Sequence, residues 1–372
     1  MSYHSSTRRP VSLIGFATLR VVACALSALA ISACGHRLSI AELTPQEIET
    51  TLFLVGDAGE QDPRRTGPAL DSMAHQAAVA PERSIIVFLG DNVYPSGVPR
   101  DSSLAWDDAK RRLQNQVDAV PPGVRAIFIP GNHDWAGETA FSLESVRLEE
   151  RLINTMAHGR PIRMLPLNGC PGPAALDTGR LRFIALDTQW WLHDFIVKDE
   201  RSNCPETTGA VTARLRELVH EKQDGRIVIV GAHHPLMTGG QHGGYCGLAG
   251  VFRRLSGANQ DIMSTTNRAM RDSIEAAFTG QPPLVYAAGH DHNLQVMKGG
   301  QSAQYLLVSG AGSPDKAECA VYLRESYYVS QHRPGFMRID ILKGKGVLLS
   351  VFDYTGAGVP GRPFFSRWLE TR

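Results

Sequence analysis

Neither sign of charge dominates this chain: 38 lysines and arginines stand against 37 aspartates and glutamates in 372 residues. That balance argues against nucleic acid or an anionic membrane as the main partner. Long apolar runs are also missing. The longest, Val21 to Cys34, has 14 residues, short of the roughly 18 to 20 that a spanning helix needs. Cysteine is sparse, six residues in all, and beyond Cys34 no two lie close together, which argues against a compact zinc cluster. There is no GxxxxGKS/T phosphate loop, no GxSxG elbow and no HExxH helix, so a P-loop kinase, a serine hydrolase and a zinc-helix protease are disfavoured. No internal repeat, low-complexity tract or block of like charge divides the chain.

What the chain does carry is five short blocks that set a metal-grade side chain beside a glycine or at the end of an apolar run. They are GDAG (56–59), GDNVY (90–94), GNHD (131–134), VGAH (230–233) and GHDH (289–292). Each follows a short β-branched or aromatic run, beginning near Thr51, Ser84, Val124, Arg226 and Pro283, of the kind that forms strands buried on both faces. Helical periodicity fills 66–79, 101–118, 141–156, 207–222 and 265–278 between them. Alternating strand and helix predicts an α/β fold with a largely parallel central sheet, and ligands in such sheets bind at the carboxyl ends of the strands. All five blocks fall there. Beyond residue 295 the runs 304–309, 320–329, 335–342 and 347–354 predict a meander packed on the first sheet.

The amino terminus reads as an export signal. Arg8, Arg9 and Arg20 precede the apolar run, which ends in Ile31-Ser32-Ala33-Cys34, and small residues at such a point mark a cleavage site. These four residues resemble the lipobox of bacterial lipoproteins, in which the cysteine carries the lipid. The expected division is a signal peptide over 1–33, a linker over 34–48 and a catalytic domain over 49–372, with lipid on Cys34 in the bacterial cell envelope. Removal of 1–33 takes away three arginines and leaves 35 basic against 37 acidic residues. Cys170, Cys204, Cys246 and Cys319 remain as an even set, enough for two disulfides in an exported chain.

The donors divide by chemistry. Asp57, Asp91, Tyr94 and His292 bring up to three anionic oxygens to one ion, which suits a hard trivalent metal, whereas Asn132, His233 and His290, sharing Asp91, bring neutral donors that suit a divalent one. On an extended segment the two histidines of GHDH would point to one side and serve adjacent ions, with Asp291 pointing away. Two such ions clamp a phosphoryl group and provide hydroxide near neutral pH. A departing alkoxide needs a proton, and His133 and His242 are the candidate donors. His234 reads as packing or orienting a neighbour. Trp190 and Trp191 would rim the pocket or pack in the core, Asp187 would orient the site or cap a strand, and VSGAG (308–312) reads as a tight loop.

The blocks match the pattern GDxG, GDxxY, GNH, VxxH and GHxH, and GHDHNLQ (289–295), ALDT (185–188) and VSGAG extend the match over roughly Leu52 to Gly312. In these motifs the chain resembles the purple acid phosphatases, most of all their small tartrate-resistant type, within the calcineurin-like metallophosphoesterase superfamily. The resemblance implies a four-layer α/β sandwich of two packed mixed β-sheets. It implies Fe(III) on Asp57, Asp91, Tyr94 and His292, a divalent Zn, Mn or Fe ion on Asp91, Asn132, His233 and His290, and phosphate-contacting or proton-donating roles for His133 and His242. It further implies a Cys204–Cys246 disulfide, which leaves Cys170 with Cys319. His234 and the glycine-rich segment 246–262 depart from the small-type pattern. The expected activity is hydrolysis of small phosphomonoesters by attack of metal-bound hydroxide. Phosphodiesters or nucleotides at the same site are an alternative, and a non-hydrolytic metal-holding envelope lipoprotein is another.

Overall fold

A computed structural model describes residues 44–60, 67–100, 103–136, 142–193, 204, 207–221, 225–256, 258–300, 302–314, 317–344, 346–354 and 362–371. The signal peptide, Cys34 and most of the linker expected from the sequence lie outside the described residues. No helix among the described residues is long and apolar enough to cross a membrane.

The unit from Gln46 onward opens with four parallel strands: β1 (Ile48–Val55), β2 (Ser84–Phe88), β3 (Arg125–Phe128) and β4 (Ile162–Met164). Helices α1 (Pro68–Ala77), α2 (Leu104–Asp118) and α3 (Ser142–Ala157) connect them. Their starts follow from local chemistry. Pro68 opens α1, where a missing N–H costs nothing, and the Ser103 side chain accepts from Trp106 N at the head of α2. A second sheet then forms from β5 (Ala174–Thr178), β6 (Leu181–Ala185), β7 (Ile227–Gly231), β8 (Val285–Ala288), β9 (Leu294–Lys298), β10 (Tyr305–Ser309) and β11 (Ser326–Ser330). In it β6, β7, β8 and β10 run parallel, while β5 and β9 run against them and β11 pairs antiparallel with β9. Helices α4 (Thr208–His220), α5 (Gly247–Ser256) and α6 (Thr265–Phe278) lie within this half of the chain. Finally β12 (Gly335–Leu342), β13 (Val347–Asp353) and β14 (Phe365–Leu369) return antiparallel to the free edge of β1. These are the two packed mixed sheets that the resemblance implies, each of seven strands, and only the separate meander expected beyond residue 295 is corrected. β10 and β11 belong to the second sheet, and β12 to β14 extend the first.

Alternation along the strands explains why the sheets pack on each other. Leu52, Leu54, Ile85, Val87 and Ile127 of the first sheet share one core with Phe183, Ala185, Ile227 and Ile229 of the second. Their neighbours Phe53, Val55, Ile86, Phe88 and Phe128 turn the other way, into a core that includes the helix residues Leu70, Met73, Leu113 and Ile153. Each strand is thus apolar on both faces, and the result is a four-layer α/β sandwich. A fully buried leucine or phenylalanine in either core contributes about 1.5–3 kcal/mol of transfer free energy.

The disulfides pair differently from the expectation carried by the resemblance. Cys170 bonds Cys204 and Cys246 bonds Cys319, with Cα separations of 5.2 and 6.1 Å. Backbone contacts give the reason for the second pair. Val321 N donates to Gly239 O at 2.9 Å, which brings the chain around Cys319 alongside the loop that leads to Cys246. Cys170 is carried to the end of β6 instead, where Asp187 N donates to Pro171 O at 3.0 Å.

Candidate metal centre

All seven predicted donors converge. Asp57 follows β1, Asp91 and Tyr94 follow β2, and Asn132 follows β3; His233 follows β7, and His290 and His292 follow β8. Both sheets contribute, and the loops are tied across the gap: Gly56 N donates to Ser309 O at 2.7 Å and Gly312 N to Gly56 O at 3.0 Å. VSGAG, with Ser313 Oγ donating to Asp57 O at 2.7 Å, is the clip that holds GDAG against the second sheet.

Each of the two carboxylates has its orientation set by a backbone amide. Asp57 Oδ2 accepts from His290 N at 2.9 Å and Asp91 Oδ1 from His133 N at 2.8 Å, so the remaining oxygens, Asp57 Oδ1 and Asp91 Oδ2, point at the other donors. Asp57, Asp91 and His290 hold φ of +59°, +56° and +71°, a region that non-glycine residues occupy when tertiary structure forces it, often at functional sites. Neighbouring glycines make room. A Cβ on Gly131 would lie 2.2 Å from Asp91 Oδ1, and one on Gly90, itself at φ +93°, would lie 2.5 Å from His233 Nδ1.

Two groups of donor atoms result. In the first, Tyr94 OH lies 3.2 Å from Asp57 Oδ1, 3.0 Å from Asp91 Oδ2 and 3.0 Å from His292 Nε2. In the second, Asn132 Oδ1 lies 2.9 Å from both His233 Nε2 and His290 Nδ1, and His233 Nε2 is 3.3 Å from Asp91 Oδ2. Asp91 Oδ2 is common to both. His233 Nδ1 donates to Leu89 O at 2.8 Å, so when the ring is neutral Nε2 turns a lone pair toward the Asn132 oxygen. Lone pairs facing each other at such distances repel unless a cation or a proton lies among them. Donors bound to one ion at about 2.0–2.2 Å stand roughly 3.0–3.4 Å apart, which these spacings match. Among the described residues, Asp57, Asp91 and His233, and separately His233, His234 and His290, are close enough to share an ion.

The electrostatics agree. Burial opposes charge on His233 and His292, yet the Asp91 and Asp57 carboxylates outweigh it and raise both imidazoles to about 9. Burial would lift the Asp91 carboxyl, and His233 and His133 instead hold it well below the usual range. The site therefore demands positive charge between its carboxylates. Burial first, then Asp91 and Asp57, push the Tyr94 phenol well above its ordinary value, so ligation as a phenolate calls for a strongly polarising ion. Burial and the surrounding histidines keep His290 neutral, its pKa well below the usual imidazole value.

His133 and His242 flank the donors from two sides. The His133 ring lies 4.1 Å from that of Tyr94, with Nδ1 2.6 Å from Pro95 O and Nε2 4.0 Å from Asp91 Oδ2. The His242 ring lies 3.8 Å from that of His290 and its Nδ1 is 2.7 Å from Asp261 Oδ1. Ile262 N donates to His242 O at 3.0 Å, and Arg253 Nη1 reaches Asp261 Oδ1 at 3.3 Å. The segment after His242 thus folds back over it.

Several residues gain roles the sequence did not reveal. Asp134, named only as the end of GNHD, accepts from Asn92 N, Val93 N and Gly131 N at 2.9, 2.9 and 2.7 Å and joins the loops after β2 and β3. Burial and the charge of Asp91 raise it to about 7. Asp291 accepts from His242 N at 3.1 Å and from Thr238 Oγ1 at 2.5 Å, so it shapes the His242 loop. The extended geometry expected for GHDH is corrected. His290 and His292 do serve different donor groups, but through a tight turn in which Asp291 N donates to Gly289 O and Asn293 N to Asp291 O. His234 is held by Thr188 Oγ1 at 2.9 Å, its ring 4.4 Å from that of His290. Trp190 and Trp191 are core residues, 3% and 8% exposed. Asp187 accepts from Trp135 Nε1 at 2.9 Å and Trp190 N at 3.2 Å, capping the turn after β6.

Fold and donors together define a class: an α/β sandwich with places for two ions at the carboxyl ends of facing sheets. The chain belongs to the calcineurin-like phosphoesterase family, whose model matches residues 54–294, and with it to the metal-dependent phosphoester hydrolases. A comparison with curated protein sequences finds no match. Among solved structures it is similar to GAP50, the anchor in the inner membrane complex of Plasmodium, with a TM-score of 0.54 and 15% identity over 87% of this chain and 90% of that one. It is also similar to the purple acid phosphatase PPD1 from yellow lupin seeds, with a TM-score of 0.55 and 15% identity over 86% of this chain and 53% of that one. At such identity these likenesses concern the fold alone.

Proposed function

We propose that the protein is an exported phosphomonoesterase of the purple acid phosphatase kind, close to its small tartrate-resistant type. The observation that carries this reading is the intact donor set in two groups that share Asp91 Oδ2. The fold does not decide it, since an anchor protein and a phosphatase resemble the chain equally well. Asp57, Asp91, Tyr94 and His292 would hold Fe(III), and Asp91, Asn132, His233 and His290 a divalent ion. When bound, the pair supplies Lewis-acid polarisation of the phosphoryl group and acidification of water.

The chain's own residues do the rest. The Asp57 and Asp91 carboxylates are pre-aimed by amides and need no reorganisation on substrate binding. Asp261 accepts from His242 Nδ1 and Pro95 O from His133 Nδ1, which leaves Nε2 of one ring or the other to hand the proton to the departing alcohol. Two disulfides support an oxidising compartment, in line with a leader over 1–33, lipid on Cys34 and a catalytic domain over 49–372.

The test is metal-replete protein assayed on p-nitrophenyl phosphate and on its bis-ester. A higher kcat/KM on the monoester is expected, with losses on the order of a hundredfold in kcat for His133→Gln and His242→Gln. Absence of turnover on either ester would sink the reading. Iron ligation predicts a visible tyrosinate charge-transfer band that disappears in Tyr94→Phe, and a colourless parent holding only divalent ions would refute it.

A further inference from the structure

Helix α5 turns its apolar side to solvent. Leu248, Val251, Phe252 and Leu255 are 89%, 50%, 72% and 80% exposed, and their spacing of three and four places them within about 100° of arc. The opposite side is the one seated on the protein. Gly250 is buried there, with Tyr245 O so close that no Cβ would fit. Arg254 lies beside the stripe, packing on Gly244 while staying exposed, whereas Arg253 turns to the protein side, where its Nη1 reaches Asp261 beside His242. The Cys246–Cys319 disulfide fastens the start of α5 to the loop that carries Val321 and Tyr322, 37% and 65% exposed. Most amphipathic helices on a globular protein bury their apolar stripe; this one presents it.

Charge identifies the occupant. From Pro235 through Gln260 the chain has two arginines and no acidic residue, and since Asp261 takes the Arg253 guanidinium, Arg254 is the exposed charge beside the stripe. An apolar stripe beside an exposed arginine complements an anionic lipid surface, where the stripe enters the acyl boundary and the Arg254 guanidinium meets headgroup phosphates. A second copy of the chain fits less well, because a two-fold contact through this stripe would bring like-charged flanks together. We propose that α5 is an interfacial helix that docks this face of the protein, beside His242, on an anionic phospholipid bilayer.

The reporter for the test is a tryptophan in the full chain, Phe252→Trp, its emission taken as the difference from the parent. Vesicles of phosphatidylglycerol with brominated acyl chains are the probe. Attachment elsewhere in the chain, at Cys34 included, does not supply a signal local to α5. The difference emission is expected to shift blue and be quenched, more weakly with phosphatidylcholine, and not at all for Val79→Trp, a position 71% exposed beyond the end of α1. Adding Leu248→Ser and Leu255→Ser, both at exposed positions, should raise the half-maximal lipid concentration roughly tenfold or more. An unshifted signal in excess lipid overturns the proposal. So does a shift that needs no vesicles and grows with protein concentration, which would mean self-association, and equal binding to phosphatidylcholine overturns the assignment to an anionic surface.

Discussion

The side chains that carry the site differ in how openly the sequence shows them. Asp57, Asp91, Asn132, His233 and His290 stand out because each ends an apolar run beside a glycine, and buried strands deliver them to one place. Asp134 and Asp261 do not. Nothing in a linear string says that Asp134 reaches three amides, or that Asp261, 19 positions from His242 in a polar stretch, orients its ring. Asp187 offers a measurable consequence of such hidden burial. Burial raises it to about 8, against the bonds from Trp135 and Trp190 that lower it. A carboxyl whose pKa is raised on folding contributes stability that is fully present below its unfolded value and is lost as pH rises toward the folded one. Between pH 5 and pH 8 the parent should therefore lose urea stability relative to Asp187→Asn, in which nothing titrates at that position. Parallel pH dependence in the two chains would refute this.

At the level of elements, the helices and the strands before the blocks were legible because their periodicity reflects one buried stripe or two buried faces. Helix 207–222 was expected and Thr208–His220 forms; 265–278 was expected and Thr265–Phe278 forms. Two sheets instead of one could not be read from periodicity, since strands apolar on both faces look alike in either sheet. Helix α5 was missed for a related reason: two glycines interrupt its pattern and its apolar side has no partner in the fold. The disulfides depend on which loops meet at the strand ends, and so on topology. A non-reducing proteolytic digest should yield linked peptides containing Cys170 with Cys204 and Cys246 with Cys319, and a Cys204–Cys246 peptide would overturn the pairing. Since 73 residues separate Cys246 from Cys319, the double substitution Cys246→Ser/Cys319→Ser should lower unfolding free energy by about 4 kcal/mol in the loop-entropy account.

For the whole molecule, the decisive property is that neither sheet owns the site. Asp57, Asp91, Tyr94 and Asn132 hang from the first sheet and His233, His290 and His292 from the second, so ions held by them would cross-link the two halves of the sandwich. Without ions, carboxylates and lone pairs crowd together where the sheets meet, relieved by protons on His233, His292 and Tyr94. Ions binding the folded form alone stabilise it by RT ln(1 + [L]/Kd), about 4 kcal/mol for each at a thousandfold excess over Kd. At roughly 2 °C or more per kcal/mol for a domain of this size, chelation should lower Tm by roughly 10 °C or more, and restoring the ions should reverse the loss. Asn132→Ala removes a donor from the group that spans both sheets and should shrink that ion-dependent increment, whereas the exposed substitution Val79→Ser should leave it unchanged. If chelation empties the protein by elemental analysis and Tm stays put, the ions do not join the sheets, and the donor groups have been misassigned.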